Sequence, residues 1–263
     1  MSTFDERRNV DETQPFSAYA IAVIEQHVAT FEGEGFLGAF EMGSMRRYRS
    51  VLEEAHQPRI GDLDLLLTCR SDVVKDLKDP TLEFPSWLTV TPKKAHGWLT
   101  AETISDDERL WSLLKDADDL YDEPVGRMMI DAWWCPWTSV GPFAMFLTGP
   151  PEWNVWMRQQ ATAAGYMLSQ YGLFVPESKP TKTYPNRVVA GVRVDRQPDG
   201  CGNILVAEMA FWEQYVQKCG LVDREGKPLG FIPPRDRDNW RREIEGCRQE
   251  RRRDMRSAEI SEV

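Results

Sequence analysis

Three acidic residues in two apolar segments are the part of the sequence best suited to chemistry. Asp62 and Asp64 stand in IGDLDLLLT (60–68), and Asp131 follows three apolar residues in RMMID (127–131). Residues two apart on a β-strand project from the same face, so Asp62 and Asp64 are predicted to lie side by side. Ionised carboxylates in apolar surroundings repel each other and are costly to desolvate, and a divalent cation relieves both penalties. If the two strands are neighbours, the three carboxylates form an oxygen-rich site of the kind that binds Mg²⁺.

A second feature, upstream of these acids, is suited to binding an anion. The segment FLGAFEM (36–42) predicts a strand, Gly43 and Ser44 interrupt it, and MRRYRSVLEEAHQ (45–57) predicts a helix. Glycine lets a ligand approach the backbone, free amides point outward at a helix start, and Arg46 and Arg47 add guanidinium donors. Phosphate held next to metal ions is what nucleotidyl transfer requires. For Arg46, a solvated surface charge is an equally good interpretation.

The elements that position these side chains alternate between strands and helices. Apolar periodicity, caps and turn signals predict further helices from Pro15 to about 31 and over 71–79, 105–121, 152–164 and 207–220. Strands are predicted over 83–100, 125–134, 166–175 and 187–194, and the turn-rich segment 141–151 is predicted to be a hinge. This order predicts an α/β (α+β) fold, with a mixed β-sheet, flanking helices and a smaller C-terminal α+β subdomain. The expected segments are a disordered N-terminus (1–14), a catalytic α/β subdomain (15–143), a smaller α+β subdomain (144–241) and a charged tail (242–263).

The charge is unevenly distributed along the 263 residues. The net charge of −10 disfavours contact with DNA, whose affinity for proteins comes largely from cations that meet phosphates. The acids, however, are concentrated in 105–123, with eight Asp and Glu against two Lys and Arg, and the segment 235–256 holds nine Arg against six acids. Binding depends on where charges lie, so a nucleic-acid partner stays compatible with this composition. The arginine-rich tail is interpreted equally well as a phosphate contact or as a solvated helix.

Other features exclude several classes of protein. Five cysteines without a C-x-x-C pair argue against a disulfide framework or a zinc site. No apolar run of about 18 residues predicts a membrane span, and the first 13 residues lack the apolar segment of a secretory signal. We therefore expect an intracellular protein, cytoplasmic or in the nucleoid, that is not secreted and has no membrane partner.

Together these motifs resemble those of family X DNA polymerases, the group that includes DNA polymerase beta. The family fingerprint Gly-Ser-x-Arg-Arg and Gly-Asp-x-Asp corresponds to GSMRR (43–47) and GDLD (61–64), and RMMID supplies the third acid. The segment FLTGPPEWNVWMRQQATAAGYMLSQYGLF (146–174) resembles the family's aromatic-x-Thr-Gly turn and the Asn, Arg and Tyr-Gly positions that follow it. The family's N-terminal lyase and DNA-binding modules have no counterpart before residue 16. The chain therefore resembles the minimal viral members, and a virus-encoded protein is one expectation.

The resemblance implies that the mixed sheet of 15–143 is a nucleotidyltransferase palm domain and that 144–241 is a nucleotide- and DNA-binding subdomain. It also implies a role for each matched residue. Asp62, Asp64 and Asp131 are the catalytic metal ligands for two Mg²⁺ ions, for which Mn²⁺ can substitute. The nucleotide-binding residues that it implies are Gly43, Ser44 and Arg47 for the triphosphate, Phe146, Leu147, Thr148 and Gly149 for the sugar, and Asn154 for the base edge. Arg158 is implied to contact the template strand of DNA, and Tyr171 to help hold the closed form.

The implied function is a DNA-directed DNA polymerase that adds dNTPs to the 3′-OH of a DNA primer, in gap-filling repair. The expected partners are a DNA primer-template and dNTP, with the protein acting as a monomer. The alternatives are a template-independent terminal nucleotidyltransferase, a transferase acting on RNA or protein, and a degenerate DNA-binding module without activity. Asn154 and Arg158 favour a templated duplex, and a chain without activity has no physical reason to keep buried, repelling carboxylates.

Three departures from the family pattern accompany the resemblance. Met129 stands where the family has an Arg two positions before the third acid, and the acidic segment 99–124 has no counterpart. Pro150 replaces the usual Ser after Thr-Gly. The resemblance implies a cis peptide bond after this glycine. Such a bond costs about 0.5–1 kcal/mol before proline, against about 2.5–4 before other residues, so a cis Gly149–Pro150 bond is predicted. The three histidines, His27, His56 and His96, are interpreted as structural, and core packing is preferred over base stacking for the tryptophans at 133, 134 and 137.

Overall fold

A computed structural model describes residues 8–28, 35–48, 59–77, 84, 87–91, 93–99, 128–177, 190–196, 202–223, 225–238 and 240. The chain divides into two compact units, and the division falls between Trp137 and Thr138.

The first unit is built on a mixed five-stranded sheet. The strands of the whole unit, in chain order, are β1 (Arg8–Asn9), β2 (Phe36–Glu41), β3 (Arg59–Ile60), β4 (Asp62–Cys69), β5 (Leu88–Val90), β6 (Lys94–Leu99) and β7 (Met128–Pro136). The sheet has the order β2-β4-β7-β6-β5, in which β4 and β7 are parallel and the other pairs are antiparallel. The strands β1 and β3 form a separate antiparallel pair. Because β4 and β7 run side by side, the two acidic segments are neighbours, as the sequence argument required.

One face of this sheet is buried against helices, and we call it the core face. The helices of the unit are α1 (Val10–Val28), α2 (Gly43–Tyr48) and α3 (Ser71–Leu77). Alternate residues of the central strands pack into one hydrophobic core with the apolar side of α1: Leu63, Leu65, Leu67, Ile130, Ala132 and Trp134 from the strands, and Phe16, Tyr19, Ala20, Ile24 and Val28 from the helix. Each fully buried large apolar side chain stabilises the fold by about 1.5–3 kcal/mol. This core fixes which residues of β4 and β7 remain for the other face.

The prediction of a disordered segment over 1–14 is wrong for its last seven residues. Arg8 and Asn9 form β1, and α1 begins at Val10 rather than at Pro15. Thr13, Phe16 and Ser17 are fully or almost fully buried on this helix. Tertiary packing of these side chains therefore stabilises helical residues that precede Pro15, where a proline would otherwise interrupt the helix.

The second unit combines helices with a small antiparallel sheet. Its elements are α4 (Val140–Thr148), α5 (Pro151–Ala163), β8 (Met167–Ser169), β9 (Gly172–Pro176), β10 (Ala190–Arg193) and α6 (Ile204–Cys219), and the sheet order is β10-β9-β8. Asn203 caps α6 by accepting hydrogen bonds from the amides of Leu205 and Val206, and Gly220 ends it in the left-handed conformation at φ 64°.

The hinge predicted over 141–151 is also wrong, because most of this segment is α4. Gly141 and Pro142 lie in the first turn of the helix, where amide groups lack intrahelical acceptors, so a proline removes no bond. Pro151 occupies the start of α5, the position that proline favours in helices. The turn signals therefore mark two closely spaced helix boundaries.

The remaining element predictions agree with the structure wherever it describes them. The strands over 36–42, 60–68, 83–100, 125–134, 166–175 and 187–194 and the helices over 71–79, 152–164 and 207–220 are confirmed to within a few residues. The helix predicted over 45–57 is present up to Tyr48. The helix over 105–121, the acidic segment 99–124 beyond Leu99 and the tail 242–263 lie outside the described residues. Among the helices of the described ranges, none has the length and apolar character to cross a membrane.

The core of the second unit contains tryptophans around one buried ion pair. The rings of Trp153 and Trp212 stack with centroids 5.5 Å apart. Arg237 Nη1 lies 3.1 Å from Glu208 Oε1, and both side chains are completely buried. Arg237 Nε also donates to the carbonyl of Ile232, and the guanidinium lies 5.8 Å from the centroid of the Trp153 ring. The ion pair thus ties α6 to the segment that follows it.

Replacement of one partner of this pair leaves the other charge buried and uncompensated. We expect Glu208→Ala to lower the free energy of unfolding by about 3–5 kcal/mol, since this is the usual effect of breaking a buried pair from one side. Urea denaturation followed by tryptophan fluorescence measures the change. Glu213→Ala, on the exposed side of the same helix, is the matched control and is expected to change stability by less than about 0.5 kcal/mol. Equal effects of the two substitutions would contradict the role of the ion pair.

Candidate active site

The face of the first sheet opposite the core carries the predicted metal ligands. In the parallel register, Asp64 lies opposite Asp131 and Asp62 lies opposite Met129. Paired residues of neighbouring strands project from the same face, and so do residues two apart on one strand. Asp62, Asp64 and Asp131 therefore share one surface, which we call the acidic face. Asp62 is exposed, and Asp64 and Asp131 are half-buried.

Strand β6 extends the acidic face on the far side of β7. In the antiparallel register His96 lies opposite Asp131, Lys94 opposite Trp133 and Trp98 opposite Met129. The alternate residues of β6, Ala95, Gly97 and Leu99, are buried. On the side of Asp131 away from β4, the neighbouring side chains therefore come from β6, and they are basic and aromatic.

Burial and mutual repulsion perturb the central carboxylate of the acidic face. Burial, and after it the charges of Asp62 and Asp131, raise the pKa of Asp64 from its ordinary value of 3.8 to about 7. Lys94 and Arg47 oppose this rise. The three acids are therefore close enough to interact strongly, and the two cations offset their repulsion only in part.

Lys94, on the neighbouring strand β6, binds the carboxylate of Asp131. Lys94 Nζ donates to Asp131 Oδ2 at 2.6 Å, and about a quarter of each side chain remains exposed. The other oxygen, Asp131 Oδ1, is buried and has no hydrogen-bond partner among the described residues. A buried acceptor without a donor is unusual in native proteins. The two oxygens of this carboxylate thus have different environments.

The predicted glycine turn packs directly against these acids. The amide of Met42 donates to the carbonyl of Asp64 at 2.7 Å, and Gly43 begins α2 at a φ of 61°. A Cβ atom at Gly43 would overlap Asp64 Oδ2, so both the backbone conformation and the close approach require glycine. Ser44 and Arg47, the predicted phosphate contacts, follow on α2 and are half-buried. The guanidinium of Arg47 lies 5.4 Å from the centroid of the Tyr48 ring.

The charge and the donor atoms of the acidic face suit a divalent cation, although its side chains are not arranged as a metal site in this structure. Across the ranges that the structure describes, no group of three or more His, Cys, Asp and Glu side chains is arranged so that it could hold a metal ion. One oxygen of Asp131 is bound by Lys94, whereas Oδ1 is a buried acceptor that has no donor within the described part of the chain. Carboxylate oxygens are the ligands that Mg²⁺ prefers, and a cation would relieve the repulsion that raises the pKa of Asp64. The metal site at Asp62, Asp64 and Asp131 therefore stays a prediction that the chemistry of these residues supports.

The nucleotide-binding residues predicted in the second unit cluster around the end of α4. Phe146, Leu147 and Thr148 form its last turn, and Gly149 caps it. Asn154 Nδ2 donates to the carbonyl of Phe146 at 2.8 Å and lies 3.4 Å from that of Gly149. The side-chain amide thus stabilises the end of α4, a role that the sequence did not predict.

The predicted DNA contacts of the second unit are exposed. Arg158 is exposed on α5, and its guanidinium lies 5.4 Å from the centroid of the Phe146 ring. Phe146, Asn154 and Arg158 line one small cavity. Tyr171 is exposed by 36% and packs its ring edge-on against Phe143. These contacts bring three of the predicted residues together, and their ligand roles stay predictions.

The prediction of a cis bond between Gly149 and Pro150 is wrong. This bond is trans, as are all peptide bonds within the described ranges. Gly149 (φ −75°, ψ 143°) and Pro150 (φ −61°, ψ 158°) are both extended. The residue before a proline favours this extended region, and two extended residues suffice to connect α4 to α5. The trans isomer, which is the more stable one for prolyl bonds, therefore meets the geometry without a penalty.

Two residues next to the acids were not predicted as functional. Lys94 had no assigned role, and His96 was interpreted as a structural residue near a loop. Both lie on β6, where KAHGWL (94–99) alternates polar or aromatic with small or apolar residues, and this alternation indicates a strand with one accessible face. Of the tryptophans, Trp134 is in the core as expected, whereas Trp133 lies on the acidic face beneath the Lys94 ammonium, 5.0 Å from it.

Comparison with known proteins supports the fold. No family model matches the chain, and no curated protein is similar to it in sequence. Among solved structures, it is similar to Leishmania infantum polymerase beta in a ternary P/T complex, with a TM-score of 0.50, 18% identity and a match over 89% of this chain and 78% of that chain. At this identity the likeness is one of fold. The mixed sheet with flanking helices is consistent with a polymerase beta-like nucleotidyltransferase fold, and the predicted fold class is confirmed.

The raised pKa of Asp64 predicts how stability depends on pH in metal-free buffer. Between pH 3.8 and about 7 the folded state holds a proton on Asp64 that the unfolded state releases. The stabilisation from this proton is complete at low pH and is lost as the pH rises through that range. Asp64→Asn should therefore raise the free energy of unfolding at pH 8 by about 1–2 kcal/mol and leave it nearly unchanged at pH 4.

Chemical denaturation in the presence of a chelator measures this difference. Asp76→Asn is the matched control, because Asp76 is an exposed carboxylate on α3 of the same unit. Its pH profile should follow that of the wild type. A profile of Asp64→Asn that also runs parallel to the wild type would contradict the raised pKa.

Proposed function

We propose that the protein is a DNA-directed DNA polymerase of the family X type, which adds dNTPs to the 3′-OH of a DNA primer. The observation that carries the proposal is the register of β4 and β7, which brings Asp62, Asp64 and Asp131 onto one face. The fold likeness to a polymerase beta, whose structure is a ternary P/T complex, supports the same conclusion. Gap filling in DNA repair is the proposed setting.

The residues of the first unit would bind and orient the reacting groups. Asp62, Asp64 and Asp131 would hold two Mg²⁺ ions. When bound, such ions supply positive charge to the attacking oxygen, the phosphates and the leaving group. Ser44 and Arg47 would bind the triphosphate, with Gly43 allowing the backbone to lie close to Asp64. The charge of Arg47 already acts on Asp64 in this structure, so a phosphate bound by Arg47 would be near the acids.

The residues of the second unit would recognise the nucleotide and the DNA. Phe146, Leu147, Thr148 and Gly149 are proposed to line the sugar pocket, and Arg158 and Tyr171 to contact DNA or its closed complex. Asn154 is proposed to reach the base edge. Its amide group donates to backbone carbonyls at the end of α4, so the exposed Arg158 is the better candidate for sensing a template strand.

A second function rests on the same observation about Asn154. A template-independent transferase needs no contact that reads a base pair, and an asparagine committed to the backbone is compatible with it. A transferase for RNA or protein would keep the same acids and differ only in substrate. Fold alone does not distinguish these substrates.

Loss of the third acid tests the catalytic proposal. We expect Asp131→Asn to lower the rate of primer extension by about 10³-fold, because charge stabilisation by metal ions contributes several kcal/mol to such reactions. Gel analysis would compare a DNA primer-template, an unpaired DNA primer and an RNA primer, each with Mg²⁺ and Mn²⁺. Asp76→Asn is the matched control and should extend as the wild type does. Extension at the wild-type rate by Asp131→Asn would rule out the mechanism, and extension of an unpaired or RNA primer alone would identify the alternative substrate.

The contact with the template strand is tested at Arg158. Arg158→Ala should lower templated incorporation by about tenfold, which is within the range for loss of one charged contact, and should leave binding of free dNTP unchanged. Arg196→Ala removes the same charge from another exposed position in the second unit and serves as the control. Equal losses in templated and untemplated addition would favour the terminal-transferase function.

A further inference from the structure

The β5–β6 turn fixes the position of Lys94. The hydroxyl of Thr91 donates to the carbonyl of Lys94 at 2.7 Å and accepts from the Lys94 amide at 3.2 Å. The amide of Thr91 donates to the same carbonyl at 2.9 Å. Three hydrogen bonds thus hold the backbone of Lys94 at the first residue of β6. Its side chain then starts from a fixed point on the acidic face.

The ammonium of Lys94 has two neighbours on β7. It donates to Asp131 Oδ2 at 2.6 Å and lies 5.0 Å from the centroid of the Trp133 ring. Lys94 is in register with Trp133, and Asp131 is two residues away on the same face, so the ion pair is a diagonal cross-strand contact. The ring of Trp133 supports the cation from the side. Met129, two positions before Asp131 on β7, is uncharged. The positive charge next to Asp131 therefore comes from Lys94 on β6 and not from the strand that carries the acid.

We propose that Lys94 is a positioning residue that holds Asp131 Oδ2 and leaves Oδ1 as the oxygen that meets a divalent cation. The inference rests on the proposed metal-dependent function. A carboxylate attached by one bond can rotate and exchange its two oxygens. An ion pair to one oxygen removes this freedom. The buried Oδ1, which has no hydrogen-bond partner among the residues that the structure describes, is then presented in one orientation. Pre-orientation of a ligand in this way lowers the reorganisation needed during reaction.

The same contact also has an opposing electrostatic effect. Lys94 places a positive charge next to the three acids, and this charge repels a second cation from the same group. Removal of the ammonium should therefore strengthen metal binding while it weakens catalysis. A lysine that only stabilised the fold would change neither in this direction. The opposite signs of the two effects distinguish positioning from a structural role.

Lys94→Met separates these effects, because methionine keeps an apolar stem against Trp133 and removes the charge. Mn²⁺ binding to the protein without nucleotide, measured from the free-Mn²⁺ signal in electron paramagnetic resonance, should become about three- to tenfold tighter, as expected for loss of a coupled charge pair. In primer extension, kcat should fall by about tenfold with the KM for dNTP within about twofold, since Lys94 contacts Asp131 and not the nucleotide. Lys94→Arg keeps the positive charge, so its Mn²⁺ affinity and kcat should lie closer to those of the wild type than the values for Lys94→Met do.

Lys93→Met is the matched control, because Lys93 is the exposed neighbour of Lys94 and its hydrogen bond to Thr91 uses only the backbone. It should leave Mn²⁺ binding and kcat unchanged. In the Asp131→Asn background, Lys94→Met should still tighten Mn²⁺ binding, because the charge of Lys94 also acts on Asp64. It should no longer lower kcat, because the positioning effect passes through Asp131. Thermal unfolding of each variant accompanies these measurements, and Lys94→Gln replaces Lys94→Met if the latter does not fold.

Unchanged Mn²⁺ affinity or unchanged kcat in the Lys94 variant would overturn the proposal. So would a loss of kcat from Lys94→Met that persists in the Asp131→Asn background, since Lys94 would then affect catalysis without Asp131. A wild-type protein that extends no primer would instead overturn the proposed function. An unchanged Mn²⁺ affinity in Lys94→Met would still overturn the role of Lys94 in that case, so the two failures are distinguishable.

Discussion

The parallel pairing of β4 with β7 is the constraint on which the acidic face depends. Side chains alternate between the two faces of a strand. A slip of one residue would therefore move Asp62 and Asp64 on β4, or Asp131 on β7, to the core face. Leu63 and Leu65 on one strand and Ile130 and Ala132 on the other are buried in one core, and burial of these side chains opposes such a slip. Apolar packing on one face thus determines the distance between charges on the other.

The two units treat buried charge differently. In the second unit Glu208 and Arg237 neutralise each other in full burial, an arrangement in which neither group is accessible. In the first unit three carboxylates interact, and the two cations that act on Asp64 only partly offset their effect on its pKa. Excess negative charge that the fold keeps half-exposed destabilises the protein by itself. Such an excess makes physical sense where a cation or a cationic ligand completes the group.

Much of the first sheet and its acids could be predicted from the sequence, because β4 and β7 are apolar runs with few competing signals. The start of α1 could not, since burial of Thr13 and Ser17 overrides the local effect of Pro15. Prolines also misled the interpretation of 141–151, because the same residue types mark turns and helix starts. Asn154 bonds to the end of α4, and such a contact depends on how two helices meet, which periodicity does not encode.

Lys94 shows the limit of motif reading most clearly. Its contact with Asp131 requires the register between β6 and β7, and the two strands are separated in sequence by residues 100–127. Met129 occupies the position at which the resembled family has an arginine, so the motif alone indicates that a cation near the third acid has been lost. In the folded chain the ammonium group of Lys94, on the neighbouring strand β6, lies 2.6 Å from Asp131 Oδ2. A carboxylate in this environment needs a partner of opposite charge at a given point in space, and the position of that partner in the sequence is free to change.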